Sequence, residues 1–232
     1  MLSARQLACA CALTGAALTA TAAPGDAGFY IGIGVGQSRY NIDFANQVSQ
    51  AYGSTVFTVT SATMDRTHDT ASRIFGGYQF SPHIAVEGGW QDFGSATGNY
   101  ALRNTSNGDT FQRQAEWGLS GFNATLVGMI PFAERFTING KVGAFFSRLE
   151  YSESTMAVAG LRTTVTSFNA PNNNQVLFTW GAGGSYRFAD QWSVRLDWDR
   201  IENVGDTFAL TDTGNGKFDH VDVWSVNLVW KF

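Results

Sequence analysis

Six charged residues occupy positions at which they could form ion pairs inside the folded protein. Each falls on the polar side of a segment in which polar and apolar residues alternate; they are Arg73, Glu87, Lys141, Arg195, Asp197 and Asp199. Three bases and three acids enclosed together would neutralise one another, because an unpaired buried ion costs several kcal/mol. The chemistry they predict is ion pairing, and we assign Glu87, Lys141, Arg195 and Asp197 to an interior charge network.

The sequence contains few candidates for catalytic or metal-binding residues. His68 and His220 fall in predicted loops and His83 falls in a predicted turn, and none has a recognisable Ser or Asp partner. The segment 212–216 resembles a calcium loop superficially, but it lacks the alternating acidic ligands and the terminal Glu, so it predicts a hairpin tip. We therefore expect no enzyme, no cofactor and no metal site.

The last segment of the chain shows which element must position the charges. One face carries aromatic residues at both ends and aliphatic residues between them: Trp224, Val226, Leu228, Trp230 and Phe232. The other face carries Ser225, Asn227 and Lys231, and this period of two predicts a strand. The pattern suits a strand that crosses a bilayer with a polar interior behind it. A strand of a soluble sandwich is the alternative, although it would rarely leave two Trp and a Phe exposed.

Seven earlier segments repeat this pattern, at 29–36, 74–80, 84–94, 122–130, 136–146, 178–188 and 192–198. Short turns at 81–83, 131–135 and 189–191 alternate strictly with long polar loops at 40–69, 95–110, 152–174 and 202–219. Within the first loop, the Thr- and Val-rich residues 55–60 could extend the strands beyond the membrane. All four prolines lie outside the predicted strands, as expected because proline removes a ladder donor. The sequence predicts an all-β fold: an eight-stranded, antiparallel, up-and-down transmembrane β-barrel with short periplasmic turns and long extracellular loops.

Composition and the N-terminus agree with export and with a barrel. Only 15% of the 232 residues are charged, and after the N-terminus no apolar run approaches the ~18 residues of a spanning helix. A basic start, an apolar stretch over 7–18 and Ala20-Thr21-Ala22 predict a signal peptide at 1–22, leaving a barrel domain at 23–232. Both cysteines, Cys9 and Cys11, lie in this peptide; too few apolar residues precede Cys11 for the lipoprotein alternative.

The charge balance argues against nucleic-acid binding. The chain has 15 basic and 19 acidic residues, and removing Arg5 with the signal peptide leaves 14 basic residues. A net negative chain has no electrostatic footprint for nucleic acid.

The hairpin Gly77-Tyr78-Gln79-Phe80-Ser81-Pro82, followed by Glu87, resembles the OmpA-like (OmpA/OmpX-type) outer-membrane β-barrel family. That resemblance implies residence in the bacterial cell outer membrane and an interior charge cluster that includes Glu87, Lys141 and Arg195. It also implies that the assembly machinery recognises the C-terminal strand ending at Phe232. Gly34 and Val127 stand where the family has inward lysines, so we expect a smaller or rearranged cluster. We expect no periplasmic peptidoglycan-binding domain after Phe232.

Aromatic residues near both ends of the strands are predicted to lie at the membrane interfaces. The set is Phe29, Tyr78, Trp90, Tyr186, Trp192, Trp198, Trp224, Trp230 and Phe232. Such belts place amphipathic rings at the headgroup level, where one edge is apolar and the other is wet.

Two functional hypotheses follow. The first is a structural or surface-interaction role, because rigid strands present loops and binding residues are often found on loops. The second is a low-conductance porin, gated by Glu87 exchanging between Arg195 and Lys141. Lipid-A-modifying barrels and omptin-like proteases are the enzymatic alternative. Expected partners are outer-membrane lipid and lipopolysaccharide, the assembly machinery, and surface ligands bound through the loops.

Overall fold

The computed structural model describes residues 27–52, 56–160, 162–169, 172–205 and 216–232. The predicted signal peptide and residues 212–215 of the predicted hairpin tip lie outside the described residues. The elements, in chain order, are β1 (Gly28–Asn41), α1 (Phe44–Tyr52), β2 (Phe57–Arg66), β3 (His68–Ser81), β4 (Ile84–Asn104), β5 (Thr110–Pro131), β6 (Phe136–Ala159), β7 (Arg162–Asn169), β8 (Asn173–Arg187), β9 (Trp192–Val204) and β10 (Phe218–Lys231).

The strands close into a ring in which every neighbouring pair is antiparallel. The order around the ring is β1, β3, β4, β5, β6, β8, β9 and β10, and β10 pairs back with β1. The first and last strands meet in register, with Val35 opposite Val226. This ring of eight strands, with short turns at one end, confirms the predicted fold class.

Three predicted loop ranges contain more regular structure than the sequence indicated. The range 40–69 contains helix α1 and strand β2, while most of 95–110 and of 152–174 continues β4, β5, β6 and β7. Strand β2 pairs with the outer part of β4, in line with β3, and β7 pairs with the outer part of β6, in line with β8. Polar, Thr- and Ser-rich sequence predicts loop over most of these ranges, although Thr is a good strand former.

The exposed large hydrophobic residues form a belt around the outside of the ring. Representative members, at least half exposed, are Phe29, Ile33, Ile74, Phe122, Leu126, Ile138, Phe178, Leu196, Trp224 and Val226. They alternate along each strand with buried residues, as a lipid-facing barrel surface requires. The described residues contain no helix long and apolar enough to cross a membrane.

Three strands continue well beyond this belt. A strand needs about 9–11 residues to cross a bilayer, whereas β4, β5 and β6 have 21, 22 and 24 residues. Their outer halves, flanked by β2 and β7, form a five-stranded sheet that we call the extension. The extension rises from the end of the barrel opposite the short turns.

An apolar core fills the outer half of the barrel and covers the inner face of the extension. Helix α1 contributes Phe44, Val48 and Tyr52, all buried. Phe44 packs edge-on against Tyr100 and Trp117, with ring centroids 5.9 and 5.6 Å apart. Aromatic pairs in this arrangement gain stability beyond the area that they bury. The sequence had predicted a polar interior, and this half of the interior is apolar instead.

Close approach between two strands explains one interior glycine. A Cβ added at Gly143 would lie 2.7 Å from the Cα of Thr125 on the neighbouring strand, whereas one added at Gly140 would meet nothing within 4 Å. Only a residue without a Cβ lets the two backbones approach this closely.

We therefore expect Gly143→Ala to destabilise the barrel by about 2 kcal/mol, since overpacking moves backbone as well as side chains. Gly140→Ala, on the same strand but on the outer face, is the matched control and should be neutral. Urea midpoints of the two variants in lipid bilayers measure the difference. Equal midpoints would contradict this explanation of the glycine.

Candidate functional site

Four strands bring six charged side chains together in the middle of the barrel. Arg73 comes from β3, Glu87 from β4, Lys141 from β6, and Arg195, Asp197 and Asp199 from alternate positions of β9. Because side chains alternate across a strand, all three residues of β9 point to the same side, which is the interior. We call these six residues the ion layer.

Glu87 is held between two arginines. Its carboxylate accepts two hydrogen bonds from the Arg195 guanidinium, one of them over 3.1 Å to Oε2. The Tyr30 hydroxyl donates to Oε1 over 2.9 Å, and the Arg73 Nη2 lies 3.8 Å from Oε2. Glu87 is thus bound from three strands, and a two-bond arginine contact fixes its orientation as well as its charge.

Asp197 is the second centre of the ion layer. Its Oδ2 accepts from Arg195 Nε over 2.7 Å and lies 3.2 Å from Lys141 Nζ. Asn227 donates to the same oxygen over 3.1 Å. Asp199 continues the layer outward, 2.6 Å from Lys141 and 2.8 Å from Arg73. Lys141 therefore pairs with the two aspartates.

Burial makes this pairing essential. The side chains of Arg73, Lys141 and Glu87 are 3%, 3% and 2% exposed, and that of Asp197 is fully buried. Three bases face three acids, so the enclosed charge sums to zero. Breaking a buried pair leaves an uncompensated ion and is strongly destabilising, even where the intact pair contributes little net stability.

The structure brings together Glu87, Lys141, Arg195 and Asp197, the four residues predicted to form the interior network. It adds Phe75, which the sequence did not single out. Its ring lies between two guanidinium groups, with Arg73 Cζ at 4.5 Å and Arg195 Cζ at 4.6 Å from its centroid. A large apolar residue at an inward position of β3 was the available signal, and cation–π contact explains its place.

A second polar cluster, partly buried, lies in the extension and is centred on Glu153. Tyr100 and Tyr151 donate their hydroxyls to its Oε2 over 2.6 and 2.7 Å. Arg113 lies 3.0 Å from its Oε1 and also donates to the hydroxyl of Tyr52 over 3.2 Å. The cluster therefore links helix α1 to three strands of the extension. The sequence pattern does not predict it, because Tyr52, Tyr100 and Glu153 lie in predicted loop ranges, and Arg113 and Tyr151 lie between the predicted strands and loops.

Tyr100 and Tyr151 of this cluster resist ionisation. Burial, and next the adjacent Glu153 carboxylate, raise the pKa of Tyr100 and of Tyr151 well above the ordinary value of 10.0. Both effects disfavour the phenolate, the first by removing water and the second by charge repulsion.

The predicted interface aromatics all lie on the outer face. Phe29, Tyr78, Tyr186, Trp192, Trp230 and Phe232 lie near the end with the short turns, and Trp90, Trp198 and Trp224 lie towards the extension. Phe29 packs edge-on against Tyr78, with centroids 4.7 Å apart, while Trp192 stacks on Trp230. Two aromatic levels separated by aliphatic residues are the arrangement that membrane interfaces favour.

The described residues contain no group of three or more His, Cys, Asp or Glu side chains that could hold a metal ion. The three histidines are dispersed, and His68 and His220 lie in β3 and β10 and not in loops as predicted. His68 contacts Thr67, His83 contacts the carbonyl of Met129, and His220 lies 3.6 Å from Asp222.

Comparison with known families decides the class of the protein. A model of the outer membrane protein beta-barrel domain matches residues 8–232. The chain belongs to the outer membrane protein β-barrel family. It is accordingly a protein of the bacterial outer membrane, in contact with outer-membrane lipid and lipopolysaccharide, and its extension faces the cell exterior.

Solved structures with similar folds include other outer-membrane barrels. Neisserial surface protein A is 11% identical with a TM-score of 0.43, covering 89% of this chain and 99% of that one. OprG from Pseudomonas aeruginosa is 12% identical with a TM-score of 0.43, covering 91% and 99%. Ail of Yersinia pestis, solved in complex with the heparin analogue sucrose octasulfate, is 12% identical with a TM-score of 0.39, covering 89% and 99%. No curated protein sequence matches the chain significantly.

For this outer-membrane barrel we expect Asp197→Ala to lower the free energy of unfolding by about 3 kcal/mol or more, because it leaves buried cations uncompensated. The matched control is Asp190→Ala, in an exposed turn of the same barrel, which should change little. Urea unfolding in bilayers gives both values. A similar small loss in both variants would show that the ion layer is not enclosed as described.

The Glu153 cluster predicts an alkaline transition in the extension. Because the folded-state pKa values of Tyr100 and Tyr151 are raised, their stabilising contribution is complete below about pH 10 and is lost as pH rises above it. Hydrogen-exchange protection of the outer halves of β4 and β6 should therefore fall in that window. The double variant Tyr100→Phe/Tyr151→Phe should flatten this loss, whereas Tyr186→Phe on the outer face should not.

Proposed function

We propose that this protein is a non-conducting outer-membrane barrel whose extension binds partners at the cell surface. The observation that carries the proposal is the closure of the interior by two stacked layers. The ion layer fills the middle of the barrel, and the apolar core with α1 fills the outer half. A barrel of eight strands is just wide enough for its side chains to fill.

The closure leaves little room for a passage of ions or solutes. Above the ion layer, Phe93, Trp117 and Phe145 are each at most 1% exposed. Phe93 packs edge-on against Phe145, and Trp117 packs edge-on against Phe218 from β10, so contacts cross the interior. An ion would have to leave water and cross this apolar region without partners, which is strongly unfavourable.

The strands that extend beyond the membrane support a role at the surface. Forming the extension places about half of β4, β5 and β6 outside the bilayer, at a cost in backbone entropy that membrane anchoring alone would not require. The outward side chains of β5 in this region include Gln112, Gln114 and Glu116. This outer face is polar, and the apolar core and the Glu153 cluster pack against the opposite face.

Strand β7 is the best candidate for the contact site. All eight of its residues are exposed, and among the described strands it pairs with β6 alone. Its sequence after Arg162 contains Thr, Val, Ser, Phe and Asn, with no charge and no proline. Edge strands of natural proteins usually carry charges or prolines that prevent another strand from pairing with them. An edge strand without these residues can accept an extended segment of another protein as an added strand.

The second candidate function is a low-conductance porin. A cavity of about 350 Å³ opens at the end with the short turns and reaches Arg195, so water has access to one side of the ion layer. In the structure Glu87 pairs with Arg195 and Arg73, and conduction would require the ion pairs and the apolar core to open together. We rank this function second for that reason.

One experiment on cells and bilayers separates the two functions. Bacteria displaying the wild-type barrel should adhere to protein-coated surfaces, and Thr164→Lys/Thr166→Lys in β7 should reduce adhesion at least about fivefold, since edge lysines oppose strand addition. Gln112→Lys/Gln114→Lys adds the same charge to exposed positions of β5, which is paired on both sides. That control should adhere like wild type.

Planar-bilayer recording of the same proteins supplies the second readout. Wild type and both lysine variants should give flat traces, because the lysines lie outside the closed interior. Reproducible conductance steps in wild type, altered by Arg195→Ala, would favour the porin. Equal adhesion of the β7 and β5 variants would remove β7 as the contact site.

A further inference from the structure

Strand β7 has a sequence that suits pairing with a second copy of itself. After Arg162 it reads Thr-Thr-Val-Thr-Ser-Phe-Asn, and all eight residues of the strand are exposed. Segments of about six or seven residues with high β-propensity, low net charge, no proline and few glycines are those that pair with identical segments of other chains. Within the part of the chain that the structure describes, β7 pairs only with β6. Its other edge is therefore available to a copy of the same strand.

The direction of β7 determines where such a copy can be anchored. Arg162 pairs with Ala159 at the tip of the extension, and Asn169 pairs with Ser152 closer to the barrel, so β7 runs towards the membrane. The same strand of a copy in the same membrane runs the same way and could pair with it only in parallel, which is slightly less stable per residue. A parallel two-fold pair would also join the outer face of one extension to the inner face of the other. An antiparallel partner runs away from this membrane, so it belongs to a copy in a facing membrane.

A symmetric antiparallel pair has a register that suits both faces of the extension. Residues that lie opposite each other in such a pair share one face of the joint sheet. Centring the pair on Thr166 satisfies this condition and places Thr164 opposite Phe168 on the inner face. Pairs of threonines, and pairs of an aromatic with a β-branched residue, are favourable across strands. Arg162 is the only charged residue of β7 and stays beyond the paired segment, so no like charges meet.

The height of β7 above the membrane leaves room for two copies between facing membranes. Phe146 is the last residue of the exposed belt on β6, and Thr155 of the same strand lies opposite Thr166. At about 3.3 Å per residue and a tilt of about 40°, the stretch from Phe146 to Thr155 rises about 23 Å. Two copies joined at Thr166 would therefore hold their belts about 45 Å apart. The tip near Ala159 rises about 33 Å on the same basis, so it does not reach the facing belt.

We propose that β7 of one copy forms an antiparallel pair with β7 of a second copy in a facing outer membrane, so that the two extensions become one continuous sheet between two cells. This inference rests on the proposed function, because it names the occupant of the contact site as another molecule of the same chain. Thr166 lies on the two-fold axis of the pair and faces its own copy. Cells that display the barrel then adhere to one another without any other protein.

Vesicles made of phosphatidylcholine and the purified barrel test the proposal, because they contain no other protein. Light scattering should show that wild-type vesicles cluster, whereas labelled protein-free vesicles should stay outside the clusters, since both membranes must supply a copy. Thr164→Lys/Thr166→Lys should slow clustering at least about tenfold, because lysines on an edge oppose strand pairing. Gln112→Lys/Gln114→Lys on β5 is the matched control and should cluster like wild type.

A charge exchange at Thr166 tests the register and the identity of the partner together. Vesicles of Thr166→Lys alone and of Thr166→Glu alone should both fail to cluster, because like charges directly opposite each other oppose pairing. A mixture should regain up to about half of the wild-type rate, since only encounters between unlike vesicles bring lysine opposite glutamate. This rescue also shows that both variants are folded. Gln114→Lys and Gln114→Glu vesicles should cluster both alone and mixed.

The results that would overturn the proposal differ from those that would contradict the proposed function. Wild-type vesicles that stay dispersed, although gel mobility shows a folded barrel, would exclude pairing between copies and leave binding of other proteins at β7 intact. Clustering of Thr166→Lys vesicles alone, or no rescue in the mixture, would exclude the pair centred on Thr166. Capture of protein-free vesicles would mean that the extension binds lipid instead. Equal adhesion of the β7 and β5 variants to protein-coated surfaces would contradict only the proposed function.

Discussion

The structure depends on one constraint: a strand in hydrocarbon cannot leave backbone donors and acceptors unpaired. Pairing β1 with β10 satisfies it by removing both edges of the sheet. Closure with only eight strands makes the interior narrow, and a narrow interior must be filled by side chains. The ion layer and the apolar core are the two ways in which this chain fills it. Each requires a complete set of partners, either opposite charges or interlocking rings.

The ion layer and the apolar core contribute to the structure in different ways. The ion layer ties together strands from opposite sides of the ring, since Glu87 of β4 and Arg195 of β9 meet across the interior. Ion pairs contribute modestly to net stability, but they penalise any arrangement that separates them. The apolar core stabilises the outer half by burial and anchors α1 beneath the extension. Rigidity of the extension thus follows from what lies inside the barrel.

Alternation and turn chemistry were enough to predict the eight strands, their order and the outward face, because lipid on one side imposes period two on every strand. The same pattern identified the six charges of the ion layer. It failed for α1 and β7, whose short polar sequences resemble loops. For β2 it indicated a strand only over the first residues, because the partner strand β4 lies beyond β3 in the sequence. The Glu153 cluster was missed for that reason, since Tyr52, Arg113 and Glu153 meet only when the extension forms. Whether such segments form strands or helices depends on tertiary contacts, which cannot be predicted from the local sequence pattern.

The pairing of the first strand with the last has a kinetic consequence. Tyr30 lies opposite Lys231, so this seam joins residues separated by almost the whole described chain. Contacts between such distant residues form slowly, because the entropy of a long loop must be lost before they contribute. Until β1 pairs with β10, the assembling sheet has two edges whose backbone N–H and C=O groups are unpaired, and its ion layer is incomplete. The longer this open sheet persists, the more time its unpaired edges have to pair with other chains, so slow closure favours aggregation.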